Sequence, residues 1–135
     1  MAKFVATDYN VTINGTPFSA SLAAVTLDIS SEEQETTAFG DGYRTRIGGL
    51  KDGSITLDFH QDFGAGSVDA TLFPLLGTQA TVVIKPTSGT VTATNPSYSA
   101  LALVTQYQPF ASNVGELATL SVTWPTSGSI TRATA

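Results

Sequence analysis

The sequence predicts a mainly β fold: two packed antiparallel sheets, a β-sandwich or partly closed barrel, with one short flanking α-helix. Three observations lead there. Hydrophobic residues make up 41% of the 135 residues and charged residues only 13%, against a usual charged share of about 25%. Threonine and serine number 21 and 13, a quarter of the chain, and threonine suits a pleated, half-buried surface. Turn signals recur along the chain: Asn14-Gly15, Asp41-Gly42, Gly48-Gly49, Asp52-Gly53, Ser88-Gly89, Asn95-Pro96 and Ser127-Gly128.

Between the turns lie short runs of period two. Val11 and Ile13 alternate with Thr12 and Asn14, and Ala23, Val25, Leu27 and Ile29 alternate with Ala24, Thr26 and Asp28. Ile55, Leu57 and Phe59 face one way, and Thr56, Asp58 and His60 the other. Thr81 to Ile84 reads as a more buried run. Leu101, Leu103, Thr105 and Tyr107 alternate with Ala102, Val104 and Gln106, and Ala118, Leu120, Val122 and Trp124 with Leu117, Thr119, Ser121 and Thr123. Strands with one apolar face need a second sheet to cover them. Ser67–Gly77 instead reads as a helix of two or three turns. Ser67 is its N-cap, Asp69 lies in the first turn, Gly77 caps the end and Pro74 keeps it short. Val68, Leu72, Leu75 and Leu76 share a side that would cover one end of the sandwich. Phe73 and Trp124 both fall in phase with apolar neighbours and read as core.

One domain is expected over residues 1–135, since that length can bury a core without disulfides or metal. The net charge is −5 with six Lys and Arg, so the clustered cations of a nucleic-acid binder are missing. The chain has no cysteine, which excludes thiol catalysis and thiolate-bound metal. No apolar run reaches the ~18 residues of a membrane span, and no membrane association or secretory signal is expected.

Residues 28–52 are uneven. Asp28, Glu32, Glu33, Glu35 and Asp41 come first with no base among them, and Arg44, Arg46 and Lys51, half of the cations, follow. Phe39 and Tyr43 stand beside glycines. The stretch is too polar for a core strand and too aromatic for an inert linker. It reads either as a solvated hairpin with local ion pairs or as a protruding arm that docks on a neighbouring copy. In the second case its charges would set register and its aromatics would anchor the contact.

Little else suggests chemistry. Asp58, His60 and Asp62 have strand spacing and could hold a metal or pair a base with its orienter, but they also fit the polar side of an amphipathic strand. Gly64-Ala65-Gly66 lacks the rest of a phosphate-binding frame and reads as the turn before the N-cap. No Gly-x-Ser-x-Gly elbow is present. The expectation is no enzyme, no cofactor and no metal site. A carbohydrate- or receptor-binding β-sandwich module, using Tyr98, Tyr107 and Trp124 as sugar platforms, is the alternative reading.

The run from Glu33 to Phe59, with its acidic Thr-rich stretch, Phe39, Tyr43, the pair Arg44 and Arg46, and Gly49-Leu50 before an alternating strand, resembles the major tail tube proteins of long non-contractile-tailed bacteriophages. The resemblance continues through Val68–Leu76 and Ala111–Val122. It implies a structural virion protein, made in the host bacterial cytoplasm, that self-assembles into stacked hexameric rings. Those rings would form a tail tube through which DNA passes only as cargo. The implied partners are the protein itself, tail tip or baseplate proteins, tail terminator proteins and, during assembly, a tape measure protein. Carried over by position, the contact loop spans about residues 30–53, with Glu32, Glu33, Glu35, Phe39, Tyr43, Arg44, Arg46 and Lys51 at inter-subunit contacts. The implied arms are about 1–7 and 127–135, and no further domain is expected after Ala135. An acidic inner wall would let the duplex pass without being held, and strand phase nominates Asp58 and Asp62 as lumen-facing.

Overall fold

The computed structural model describes residues 3–135; Met1 and Ala2 of the expected N-terminal arm lie outside the described residues. Eight strands follow in chain order: β1 (Asn10–Ile13), β2 (Thr16–Pro17), β3 (Leu22–Glu35), β4 (Arg46–His60), β5 (Gln79–Lys85), β6 (Ser97–Leu103), β7 (Thr119–Pro125) and β8 (Thr131–Ala133). Helix α1 (Val68–Leu75) joins β4 to β5. One sheet has the order β2-β1-β5-β6-β8 and the other β3-β4-β7, with every pairing antiparallel. The sheets do not close into a barrel, so the sandwich form of the expected fold is the one adopted.

Alternation builds the core as the sequence indicates. Ile55, Leu57 and Phe59 of β4 stand opposite Trp124, Val122 and Leu120 of β7, and all six are buried. Val11, Ile13, Ala80 and Val82 meet them from the other sheet in one cluster. Each large apolar side chain so enclosed contributes about 1.5–3 kcal/mol. The β1–β2 hairpin turns on Asn14 and Gly15, at φ of 51° and 84°, the pair of positive φ values that a type I′ turn needs.

Several details differ from the sequence reading. The run 81–84 alternates rather than being uniformly buried: Thr81 is exposed, Val82 buried, and Val83 and Ile84 half-buried. The strand expected from Leu101 onward begins at Ser97 and ends at Leu103. Its inward set is Ala100 and Ala102, followed by Val104, while Leu101 and Leu103 are half-buried on the opposite face. Hydropathy favoured the leucines, but a core that already holds Trp124 and Phe59 calls for small residues on the facing sheet. Helix α1 buries only Val68 and Leu72, which lie one turn apart. Phe73 is therefore rotated off the buried stripe and is 66% exposed rather than core. Ser67 occupies the N-cap position without a side-chain cap hydrogen bond. Gly77, at φ of 84°, follows the helix and donates its N–H to the Val104 carbonyl at 2.8 Å. The expected C-terminal arm carries β8, which pairs with β6 as a sheet edge.

One flank of the sandwich is sealed where β7 runs into the other sheet. Ala102 and Thr126 form a bridge, and Ser127 N–H donates to the Leu101 carbonyl at 2.7 Å. Gly53 of β4 sits at this seam. Its carbonyl accepts from both the backbone N–H and the hydroxyl of Thr126, at 3.0 and 3.1 Å. A Cβ on Gly53 would lie 2.6 Å from the Ile130 methyl and 3.0 Å from the Asp28 carbonyl. The methyl can swing aside, but the backbone oxygen cannot easily do so. Gly53→Ala is thus expected to cost about 1–3 kcal/mol, read as a lower melting temperature; an unchanged melting curve would show that the seam has slack.

Candidate functional site

The ladder between β3 and β4 runs far past the sandwich. Its inner rungs, Val25↔Leu57 and Leu27↔Ile55, lie over the core, whereas no residue from Ile29↔Gly53 to Glu35↔Arg46 belongs to the core cluster. Every residue from Asp28 to Asp52 is exposed. The stretch expected as a contact loop over 30–53 is therefore mostly regular two-stranded ribbon, with irregular chain only from 36 to 45. Alternate polar residues satisfy a strand as well as a loop when neither face is covered, so the hairpin read from the sequence takes the form of a long ladder with a short tip.

Local chemistry shapes this arm. Between Ser31↔Lys51 and Glu33↔Gly48 the register shifts, leaving one extra β4 residue opposite Glu32. This is a β-bulge, and the adjacent glycines Gly48 and Gly49 suit its bend. At Gly49 a Cβ would come within 3.2 Å of the Glu32 Cβ. The tip is tied by Thr36 N–H donating to the Thr45 carbonyl at 2.8 Å and by a 2.7 Å contact between their hydroxyls. Ala38 N–H donates to the Asp41 carboxylate at 2.8 Å, and Asp41 N–H donates to the Ala38 carbonyl at 3.2 Å. Gly40 takes φ of 96° in that turn, at the third position where a type II turn requires positive φ. Phe39, at the second position, is thrust fully into solvent, and Tyr43 is nearly as exposed.

The charges along the arm pair within it. Arg44 contacts Glu35 at 3.2 Å, and Arg46 contacts Glu33. These exposed pairs are worth well under about 1 kcal/mol each, so they align the ribbon more than they stabilise it. Glu32 and Lys51 have no ion-pair partner among the described residues.

Asp58 projects from the outer face of β4, between Ala24 of β3 and Ser121 of β7. That face of the three-stranded sheet also carries Thr26, Asp28 and Thr56, with Thr56 and Thr123 hydroxyls 3.2 Å apart. No Lys or Arg occurs in its rows over 22–28, 54–60 and 119–125. Asp62 does not share the strand, which ends at His60; its carboxylate instead accepts the Gly64 N–H at 2.8 Å within the following turn. Strand phase therefore does not extend to Asp62. Asp58, His60 and Asp62 do not assemble, and among the described residues no three His, Cys, Asp or Glu side chains could hold a metal ion.

The sugar-platform residues are placed elsewhere. Trp124 is fully buried, and its indole N–H donates to the Gln106 carbonyl at 3.0 Å. Tyr107 donates its hydroxyl to Asp69 at 2.7 Å and accepts from Gln61 at 3.2 Å; burial first, then that bond to Asp69, pushes its pKa up. Trp124 thus offers no free face, and Tyr107 is half-buried with its hydroxyl engaged.

Tyr98 lines a feature the sequence did not reveal. Beside β3, which stands away from the other sheet, is an open apolar cleft of about 350 Å³. Val25, Leu27 and Ile29 form one wall and Ile84 and Tyr98 the other, with Phe4 and Tyr9 at the mouth. Only tertiary packing brings these residues together. The N-terminal segment is held here by Asp8, whose carboxylate accepts from the Ser88 N–H and hydroxyl at 3.1 and 3.0 Å.

No protein-family model matches the sequence, and no curated protein matches it. Among solved structures, the chain superposes on one from the tail of an empty gene transfer agent particle, determined by helical refinement with C6 symmetry. The TM-score is 0.66 at 16% identity, over 85% of this chain and 83% of that one. It also superposes on a chain of the virion of a native gene transfer agent particle, with a TM-score of 0.68 at 14% identity, over 93% and 95%. The chain shares their fold. Among the described residues no helix is long and apolar enough to cross a membrane.

The two Ser88 donors, backbone first, hold the Asp8 carboxyl below its ordinary value of 3.8. A carboxyl whose pKa is lowered by folding stabilises its contact above the ordinary value and loses it as pH falls through the folded one. The Ser88 amide resonance is expected to shift below pH 3.8 in an acid titration, and Asp8→Asn to abolish the shift. A titration midpoint above 3.8 would contradict the contact.

Proposed function

We propose that this protein is a structural subunit of a phage-like virion that self-assembles into stacked six-membered rings, forming a tail tube that conducts DNA. Its role is structural rather than catalytic. The observation that carries the reading is the arm: a two-stranded ribbon tipped with Phe39 and Tyr43, with every residue from Asp28 to Asp52 in solvent. Ordered, aromatic-tipped and uncovered on both faces, it has the form of an element completed by another molecule. The shared fold with a C6-symmetric tail supports a ring of six.

The three-stranded sheet suits the lumen. Its two edge strands, β3 and β7, are unpaired on their outer sides. Joining β3 of one copy to β7 of the next removes both edges and makes a continuous wall. The outer face of that sheet bears Asp28, Asp58 and hydroxyls without a cation, so it would not grip a passing duplex. Lumen exposure is accordingly proposed for Asp58 and not for Asp62. Glu32, Glu33, Glu35, Phe39, Tyr43, Arg44, Arg46 and Lys51 are proposed to lie at contacts between subunits. The further partners are those of a tail: tip or baseplate, terminator and, during assembly, tape measure proteins. Residence in the virion follows from the same reading, after synthesis in the host bacterial cytoplasm.

Negative-stain microscopy of the concentrated protein, alone and with a tail initiator, tests this directly. Rings or tubes are expected. Replacing Thr36–Thr45 with Asn-Gly, the two residues a type I′ hairpin prefers, should leave the melting temperature of the sandwich nearly unchanged and abolish tubes. Tubes of normal length from the shortened variant would refute the role of the arm.

A further inference from the structure

We propose that the cleft at the root of the arm is the socket for the arm tip of a second copy of this chain, with Phe39 as the inserted anchor. The proposal rests on the assembly reading above and names the surface on which the arm docks. The cleft is apolar and open, and it continues past Ile29 and Tyr98 into a second hollow beside β8 of about 610 Å³. An aromatic ring buries some 150–250 Å² when enclosed, and Phe39 is the most exposed large apolar side chain of the arm. An aromatic anchor filling an apolar pocket is the usual form of an interface hot spot.

The occupant cannot be the molecule's own tip. Ile29 lies at the cleft, and Glu35 stands six residue steps further along the same strand. At ~3.3 Å per residue the tip therefore begins about 20 Å from the socket, held there by a continuous ladder. Charge selects the same partner. The rim carries Lys51, Lys85 and Arg132, with Asp52 the one acid among the lining residues, and none of the three cations has an ion-pair partner among the described residues. The arm approaching the rim brings Glu32 and Asp41 without ion-pair partners among the described residues, while Glu33 and Glu35 are already bound to Arg46 and Arg44, so it arrives with an excess of acids.

The rival acceptor lies at the opposite end of β4. There Phe63 and Phe110 stack at 5.6 Å, and Val114 and Leu117 are exposed. The charges on those loops and the adjoining helix are Asp62, Asp69 and Glu116, all acidic, so they would repel the acidic strand of the arm. A tip that fits a different surface on its neighbour makes a head-to-tail contact. Such contacts close into rings or propagate as filaments and do not stop at a dimer.

The cysteine-free chain permits a direct test. Phe39→Cys and Ile29→Cys single variants are mixed and oxidised, with Val114→Cys replacing Ile29→Cys as the rival arm of the experiment. A disulfide needs Cα atoms within about 7 Å. The expected result is a mixed covalent dimer with Ile29→Cys and none with Val114→Cys. Phe39→Ala should also raise the protein concentration at which assembly begins by about tenfold or more. Rings or tubes that form without the Ile29 cross-link, or that cross-link through Val114, overturn the socket and leave the tube reading standing. Protein that stays monomeric and uncross-linked at every concentration overturns both.

Discussion

The structure depends on one antiparallel ladder. β3 and β4 pair along twelve matched positions, from Leu22↔Phe59 to Glu35↔Arg46, and the same hydrogen-bonded ribbon serves two environments. Over its inner half, Ile55, Leu57 and Phe59 anchor β4 between β3 and β7, and the buried area makes that part rigid. Over its outer half the ladder has only itself. A two-stranded ribbon is marginal in water, so the arm borrows its direction from the buried half and from the Gly53–Thr126 clasp at the seam.

This division explains the placement of the chain's unusual residues. Glycines at 48 and 49 ease the bulge, and Gly40 allows the tip turn. Cross-strand pairs of arginine and glutamate hold register where no core can do so. Of the four remaining cations, Lys51, Lys85 and Arg132 gather near the root cleft, while the outer face of the three-stranded sheet has none. A small acidic protein has thus sorted its few positive charges away from one face and toward another, which is meaningful when the faces meet different neighbours.

Much of this was legible from residue order. Period-two alternation identified β4 and β7 and the inward sets Ile55, Leu57, Phe59 and Leu120, Val122, Trp124, because large apolar residues left each strand only one way to face. Charge segregation marked residues 28–52 as set apart. Legibility failed where packing volume overrode hydropathy, as at Ala100 and Ala102, and where a short helix had too few turns to bury Phe73. Pattern offered a hairpin with local ion pairs beside a docking arm, but it did not say which glutamate each arginine would meet or how far the ladder would run. The cleft was invisible for a different reason: Val25, Ile84 and Tyr98 are distant in sequence and become neighbours only when the sheets part.

Hydrogen exchange along the arm, compared between dilute and assembled protein, tests the central claim most directly. If the ribbon is completed by another copy, amides between Ser30 and Asp52 exchange rapidly in the monomer and become strongly protected on assembly, while those of β4 from Ile55 to Phe59 are slow throughout. Arm amides that exchange equally fast in monomer and tube would contradict the account.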